Sequence, residues 1–230
     1  MFFPFHDPTF LLLIPAVVLA LWAQNLVRST FNKYSRIAAA VGMTGGAVAE
    51  RLLRDSGLND VTLEEVEGKL TDHYDPRTKT LRLSASISRS RSVAALGVAA
   101  HEVGHAIQHK MAYGAFHIRQ SIFPVANLGS TLAFPLFFIG FLFSRSSTVL
   151  MDAGIILFCG AVLFHVVTLP VEFNASSRAL TLLQSRGYLA EKEVGQARKV
   201  LRAAALTYVA ATAVAVLHLV RMLILRSSRD

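Results

Sequence analysis

Within one stretch of the chain stand His101, Glu102, Val103, Gly104 and His105. Two histidines four residues apart on a helix project from one face about one turn apart, so both imidazoles can reach a single ion. The glutamate between them points near the same place and can act as base to a water held there. With eight histidines and eight glutamates in 230 residues, this spacing arises by chance in about 1% of such chains. The flanking residues add weight. Ser92 to Tyr113 contains no proline, and Ala94, Ala95, Leu96, Val98, Ala99, Val103, Ala106 and Ile107 predict a largely buried helix. Two histidines and a glutamate in that setting cost stability unless they have a partner. The pattern predicts one zinc ion per chain, with His101 and His105 as ligands and Glu102 as general base.

A catalytic zinc site takes three protein ligands and keeps one position open. His109 follows on the same helix, but eight residues from His101 place it about 80° round and two turns away. It reads as a supporting or surface residue. His6, His73, His117, His165 and His218 stand singly, and the two inside apolar stretches, His165 and His218, read as hydrogen-bond partners between helices. Glu172 is the better third ligand. It opens the run Glu172-Phe173-Asn174-Ala175-Ser176-Ser177-Arg178-Ala179, where an apolar stretch ends after Pro170.

The elements that must position these residues follow from the hydropathy pattern. The chain is 53% hydrophobic and 17% charged, with a mean hydropathy of +0.47. That excludes a disordered tail, a collagen-like chain and, with Cys159 as the one cysteine, a disulfide scaffold. The apolar residues gather in four blocks, Thr9–Val27, Ile122–Phe143, Val149–Val171 and Ala203–Leu225. Each runs about 19–23 residues, enough to cross a bilayer. Asp7 precedes the first block and Arg28 follows it, the reverse of a signal peptide, and Leu21-Trp22-Ala23-Gln24 is a poor cleavage site, so it reads as a retained anchor. The second and third blocks, joined by the Ser144–Thr148 turn, read as a hairpin. The chain then leaves through one span and returns through the next, and Glu172 emerges on the side that holds His101 and His105.

The expected organisation is an anchor over 1–27, a catalytic segment over 28–120, a transmembrane hairpin over 121–171, a segment with the third ligand over 172–202, and a last span over 203–230. In the catalytic segment, Thr44 and Gly57 bound a helix over Gly45–Ser56. Val61–Leu63 and Leu81–Leu83 read as short strand pieces, and Asp75-Pro76-Arg77-Thr78 as a turn. The fold class is a mainly α membrane protein with about four transmembrane helices and a zincin-like α+β segment carrying the two histidines.

The net charge of +8 does not point to nucleic acid, because neither polar stretch has a dense basic run interleaved with aromatics. Those two stretches hold 19 of the 23 Lys and Arg residues. By the positive-inside rule the N-terminus lies outside, with the site on the cytoplasmic side.

Four segments together carry a family resemblance: Leu70-Thr71-Asp72-His73-Tyr74-Asp75-Pro76, Leu81-Arg82-Leu83-Ser84, Ala100–Ala106 and Glu172-Phe173-Asn174-Ala175-Ser176. They resemble the YugP-type neutral zinc metallopeptidases of bacteria, membrane-embedded gluzincins related to HtpX-like proteases. The resemblance covers most of the chain. It implies the fold, the metal and the reaction class of a multi-pass zinc peptidase of the bacterial plasma membrane. The expected partners are the lipid bilayer and a peptide or protein substrate, such as a membrane or misfolded protein. HtpX-like proteases carry Asp where this chain has Ser176; there the Asp orients a zinc-bound histidine, whereas Ser176 can accept a hydrogen bond but brings no charge. Asn174 joins Ser176 as a supporting candidate, and His73, Tyr74, His109 and Arg178 are candidates for holding the oxyanion. An extended substrate could add to the strand near Leu81-Arg82-Leu83-Ser84. The competing reading is a catalytically silent membrane protein with a structural or sensory zinc site, which has no use for Glu102. A metal transporter is disfavoured because the histidines within the spans are single.

Overall fold

The computed structural model describes residues 8–68, 71–143 and 148–228. His6, Asp7, Leu70, Arg229 and the Ser144–Ser147 part of the expected turn lie outside the described residues. A 3-10 turn over Pro8–Leu13 leads into α1 (Ile14–Tyr34) and α2 (Gly45–Asp55). Strands β1 (Thr62–Val66), β2 (His73–Asp75) and β3 (Thr80–Ser84) follow, then α3 (Ala85–Ser88), α4 (Val93–Lys110), α5 (Gly114–Phe143), α6 (Val149–Ser185) and α7 (Glu191–Ser227). Four helices, Thr9–Tyr34, Gly114–Phe143, Val149–Ser185 and Glu191–Ser227, are long and apolar enough to cross a membrane. Fewer than a third of the residues in their most apolar windows are buried. Leu11, Val18, Leu21, Trp22, Phe143 and Ile156 all stand exposed. So much open apolar surface suits lipid rather than water, and the protein is a mainly α membrane protein.

The chain divides into two compact units. The first comprises Met1–Gln24, Ile118–Leu169 and Thr207–Asp230. In it α5 and α6 approach through small residues, as helices in lipid do. A Cβ on Gly154 would lie 2.7 Å from the Ala133 carbonyl oxygen, and one on Gly129 would strike the Leu157 carbonyl. Phe137, Met151, Ile155, Phe158 and Met222 form its core. Arg226 Nε donates to Asp152 Oδ1 at 2.9 Å.

The second unit comprises Asn25–His117 and Pro170–Leu206. Helix α2 starts where Thr44 Oγ1 accepts from the Ala47 amide. It ends at Gly57, whose φ of +66° lets its own amide reach Arg54 O while the Leu58 amide reaches Leu53 O. Helix α4 starts in the same manner as α2, with Ser92 Oγ accepting from the Ala95 amide at 3.2 Å. Its apolar faces meet Val48, Leu52 and Leu53 of α2, Leu81 and Leu83 of β3, Val171, Ala179 and Leu183 of α6, and Ala197 and Leu201 of α7 in one core.

The sheet order is β1-β3-β2, with β1 parallel and β2 antiparallel to β3. This corrects the expectation of a free strand edge at Leu81–Ser84. The central strand β3 is flanked on both sides, and the Ser84 amide is held by Asp72 Oδ1 at 2.7 Å. Strand β2 is not among the expected strand pieces, and its last residue, Asp75, opens the expected turn. The third apolar block ends at Val171, yet α6 runs on through Pro170 to Ser185. A proline interrupts a helix by removing one N–H and crowding the preceding turn. The helix continues because Val171, Ala175, Ala179 and Leu183 form a buried stripe at four-residue spacing.

Gly104 decides how closely α4 and α6 approach. A Cβ there would lie 2.7 Å from the Ala175 carbonyl oxygen. Gly104→Ala is expected to lower stability by about 1–3 kcal/mol, the usual cost of overpacking. Thermal melting of the variant beside wild type checks this, and an unchanged melting temperature would contradict so tight a contact.

Candidate metal centre

Helix α4 carries His101, Glu102 and His105, and α6 carries Glu172 and Ser176. One atom from each of His101, His105 and Glu172 lies within 4.8 Å of the other two. His101 Nε2 is 3.2 Å and His105 Nε2 3.7 Å from the same Glu172 oxygen, Oε2. The two rings stand nearly perpendicular, at 85°, with centroids 4.7 Å apart. Both therefore turn Nε2 to a common point and Nδ1 to the protein. His101 Nδ1 is 3.1 Å from Ser176 Oγ, and His105 Nδ1 is 3.0 Å from Gln108 Oε1.

This donor set fits zinc. Two imidazole nitrogens and one carboxylate are ligands that zinc accepts, and each ring has a hydrogen-bond partner behind it. Glu172 is 3% exposed, and a carboxylate so buried calls for a positive partner. Glu102 is buried beside these three residues, and burial pushes its carboxyl up to about 7. His101 opposes the rise, Glu172 and Asp72 add to it, and His73 opposes it weakly.

The remaining candidates divide by what they touch. Asn174 Oδ1 accepts from Gln108 Nε2 at 3.0 Å and from Arg178 Nε at 2.7 Å. Arg178 Nη1 also reaches Met111 Sδ at 3.2 Å. Tyr74 and His109 engage each other, hydroxyl to Nδ1, at 2.9 Å. Burial, helped by Asp60 and Asp75, pushes the Tyr74 phenol up to about 12. Burial, helped by His117 and Lys79 and opposed by Asp60, moves His109 downward. The exposed His73 faces Thr71 O through Nδ1 at 2.7 Å. Ala106 and His109 share the face of α4 that carries Glu102. With Leu58, Val61 and Tyr74 they line a cavity of about 580 Å³.

Gln108, fully buried, is the residue that sequence reasoning missed. Its one sequence signal is its place three residues after His105, the spacing at which helix side chains meet.

Such a centre in a helical membrane chain is the mark of membrane metallopeptidases. This chain belongs to the family described as "Putative neutral zinc metallopeptidase", whose model matches residues 9–227. Among its relatives is the "Putative membrane protease YugP" of Bacillus subtilis (strain 168), 49% identical over 220 residues that cover 95% of this chain and 97% of that protein. No solved structure matches. Family membership implies zinc and peptide substrates.

Proposed function

We propose that this chain is an integral membrane zinc metalloendopeptidase in which His101, His105 and Glu172 hold one zinc ion and Glu102 is the general base. The observation that carries this reading is the convergence of three ligand atoms, from α4 and α6, beside a buried carboxyl. When bound, zinc supplies a more acidic water and polarises the scissile carbonyl. Glu102 takes the proton of the attacking water on a carboxylate oxygen and passes it to the nitrogen of the leaving amine. A carboxyl beside the ion-holding residues can make both transfers. Ser176 and Gln108 orient the two imidazoles through their Nδ1 atoms. The cavity at Tyr74, Ala106 and His109 has room for a substrate side chain.

In this reading the segments 28–120 and 172–202 form the catalytic part, and 1–27, 121–171 and 203–230 anchor it in a bacterial plasma membrane. Substrates are membrane or loosely folded proteins. The purified protein should cleave an unfolded polypeptide, lose that activity to a zinc chelator and regain it with zinc. Hydrolysis that survives complete removal of zinc would overturn the reading.

The proposed orientation places the centre in the cytoplasm, because the polar stretches hold most of the Lys and Arg residues. In a Cys159→Ser background, cysteines placed singly at Ser56 and Ser185 should resist a membrane-impermeant thiol reagent in intact cells, while one at Ser147 reacts. The opposite pattern would put the site outside.

A further inference from the structure

We propose that Gln108 is a positioning residue that locks His105 into the tautomer carrying its proton on Nδ1, so that the Nε2 lone pair faces Glu172. The inference rests on the metal site proposed above and adds to it a residue that neither touches the ion nor belongs to the motif.

Hydrogen-bond directions around Gln108 are each fixed by a group that can play only one part. One end of the Gln108 amide lies 2.8 Å from the backbone carbonyl of Val171 and 3.0 Å from Asn174 Oδ1. A backbone carbonyl only accepts, so the end facing it must be the NH2. The other end is then the oxygen, which also only accepts. That oxygen is 3.0 Å from His105 Nδ1, so Nδ1 must carry a hydrogen. In a neutral imidazole the lone pair then belongs to Nε2, the atom 3.7 Å from Glu172 Oε2.

The far end of the chain is fixed in the same way. Arg178 Nε donates to Asn174 Oδ1 at 2.7 Å, and a guanidinium has no acceptor to offer. It holds the Asn174 oxygen toward Gln108, where that oxygen takes the second N–H of the amide. His105 thus donates to Gln108 and Gln108 to Asn174, whose oxygen also takes the N–H of Arg178, so every direction in the series is fixed. The series also ties α4 to α6 at Val171, one residue before Glu172, so one side chain sets the state of one ligand and anchors the turn that carries another.

His101 differs. Its Nδ1 meets Ser176 Oγ, and a hydroxyl donates or accepts as its partner requires. Ser176 fixes where that ring sits without fixing its tautomer. An unconstrained neutral histidine in water favours the proton on Nε2, the nitrogen that must be bare to bind a metal. At His105 the protein removes that competing form before any ion arrives.

The test reads the tautomer directly. Nitrogen-15 correlation spectra of the metal-free, full-length protein, recorded at alkaline pH where the imidazole signals have stopped moving, should show His105 protonated on Nδ1. Gln108→Met keeps the length of the side chain and removes both ends of the amide. It should shift His105 toward the Nε2-protonated form and weaken zinc binding by about 10–100-fold, the usual effect of losing such a partner. Gln108→Glu keeps an oxygen toward His105 and should retain the Nδ1-protonated form. A purely structural glutamine would leave the tautomer unmoved when replaced.

Finding His105 protonated on Nε2 in the metal-free wild type would overturn the proposal, and that spectrum decides even if Gln108→Met fails to fold. A folded Gln108→Met protein with the wild-type tautomer would overturn it equally. A wild type that shows Nδ1–H but binds no zinc would refute the peptidase reading while supporting the assignment to Gln108.

Discussion

The Glu102→Gln protein is expected to bind one zinc ion per chain and to hydrolyse substrate about 10²–10⁴-fold more slowly than wild type, the range that a positioned acid–base group contributes. The replacement has the same size and sits in the same buried place, so the cost falls on proton transfer. Glutamine cannot take a proton from water at neutral pH, whereas a carboxylate can both take and return one. His101, His105 and Glu172 are untouched by the change, so zinc content should hold. Membranes carrying wild type or Glu102→Gln, compared for cleavage products, would also reveal natural substrates. Near-normal turnover by the variant would place the base elsewhere.

Glu172→Ala should abolish activity and lower zinc affinity by orders of magnitude. The carboxylate faces both Nε2 atoms, so its removal leaves two neutral nitrogens to hold the ion. His101→Ala and His105→Ala should have the same outcome, each leaving one imidazole and the carboxylate. Metal analysis of the purified variants checks this. Stoichiometric, tightly held zinc in Glu172→Ala protein would sink the assignment of that residue, whatever became of the activity.

Much of the centre can be read from residue order because helix geometry translates spacing into direction. His101 and His105 share a face at four-residue spacing, and the structure turns both rings to one carboxylate oxygen. Glu172 required a longer argument from two successive spans, and the structure brings it to the same point. The four apolar helices follow from composition alone.

What stayed hidden depends on partners distant in sequence. Gln108 looks like any polar residue on an alanine-rich helix, and its meaning comes from Val171 and Asn174, more than sixty residues away. Strand β2 is three residues long and contains Asp75, so no alternation marks it. The parallel pairing of β1 with β3 could not be foreseen, because Thr62-Leu63-Glu64-Glu65-Val66 has few apolar residues and is mostly exposed. Pro170 stands at the end of the third apolar block, and the buried stripe beyond it shows why α6 continues.

The contact between Gly104 and Ala175 bears on how this protein can age and evolve. The helix with the two histidines and the helix with the glutamate touch there through their main chains, and no rotamer mediates the gap. Substitutions elsewhere in the core, such as Leu52→Ala or Leu183→Ala, open cavities and lower the melting temperature. They leave that contact in place. Durability and the spacing of the two helices are then separate traits, and a lineage can drift in the first while keeping the second. Heated gradually, a core-weakened variant would hold wild-type turnover until it melts and then lose it in a single step.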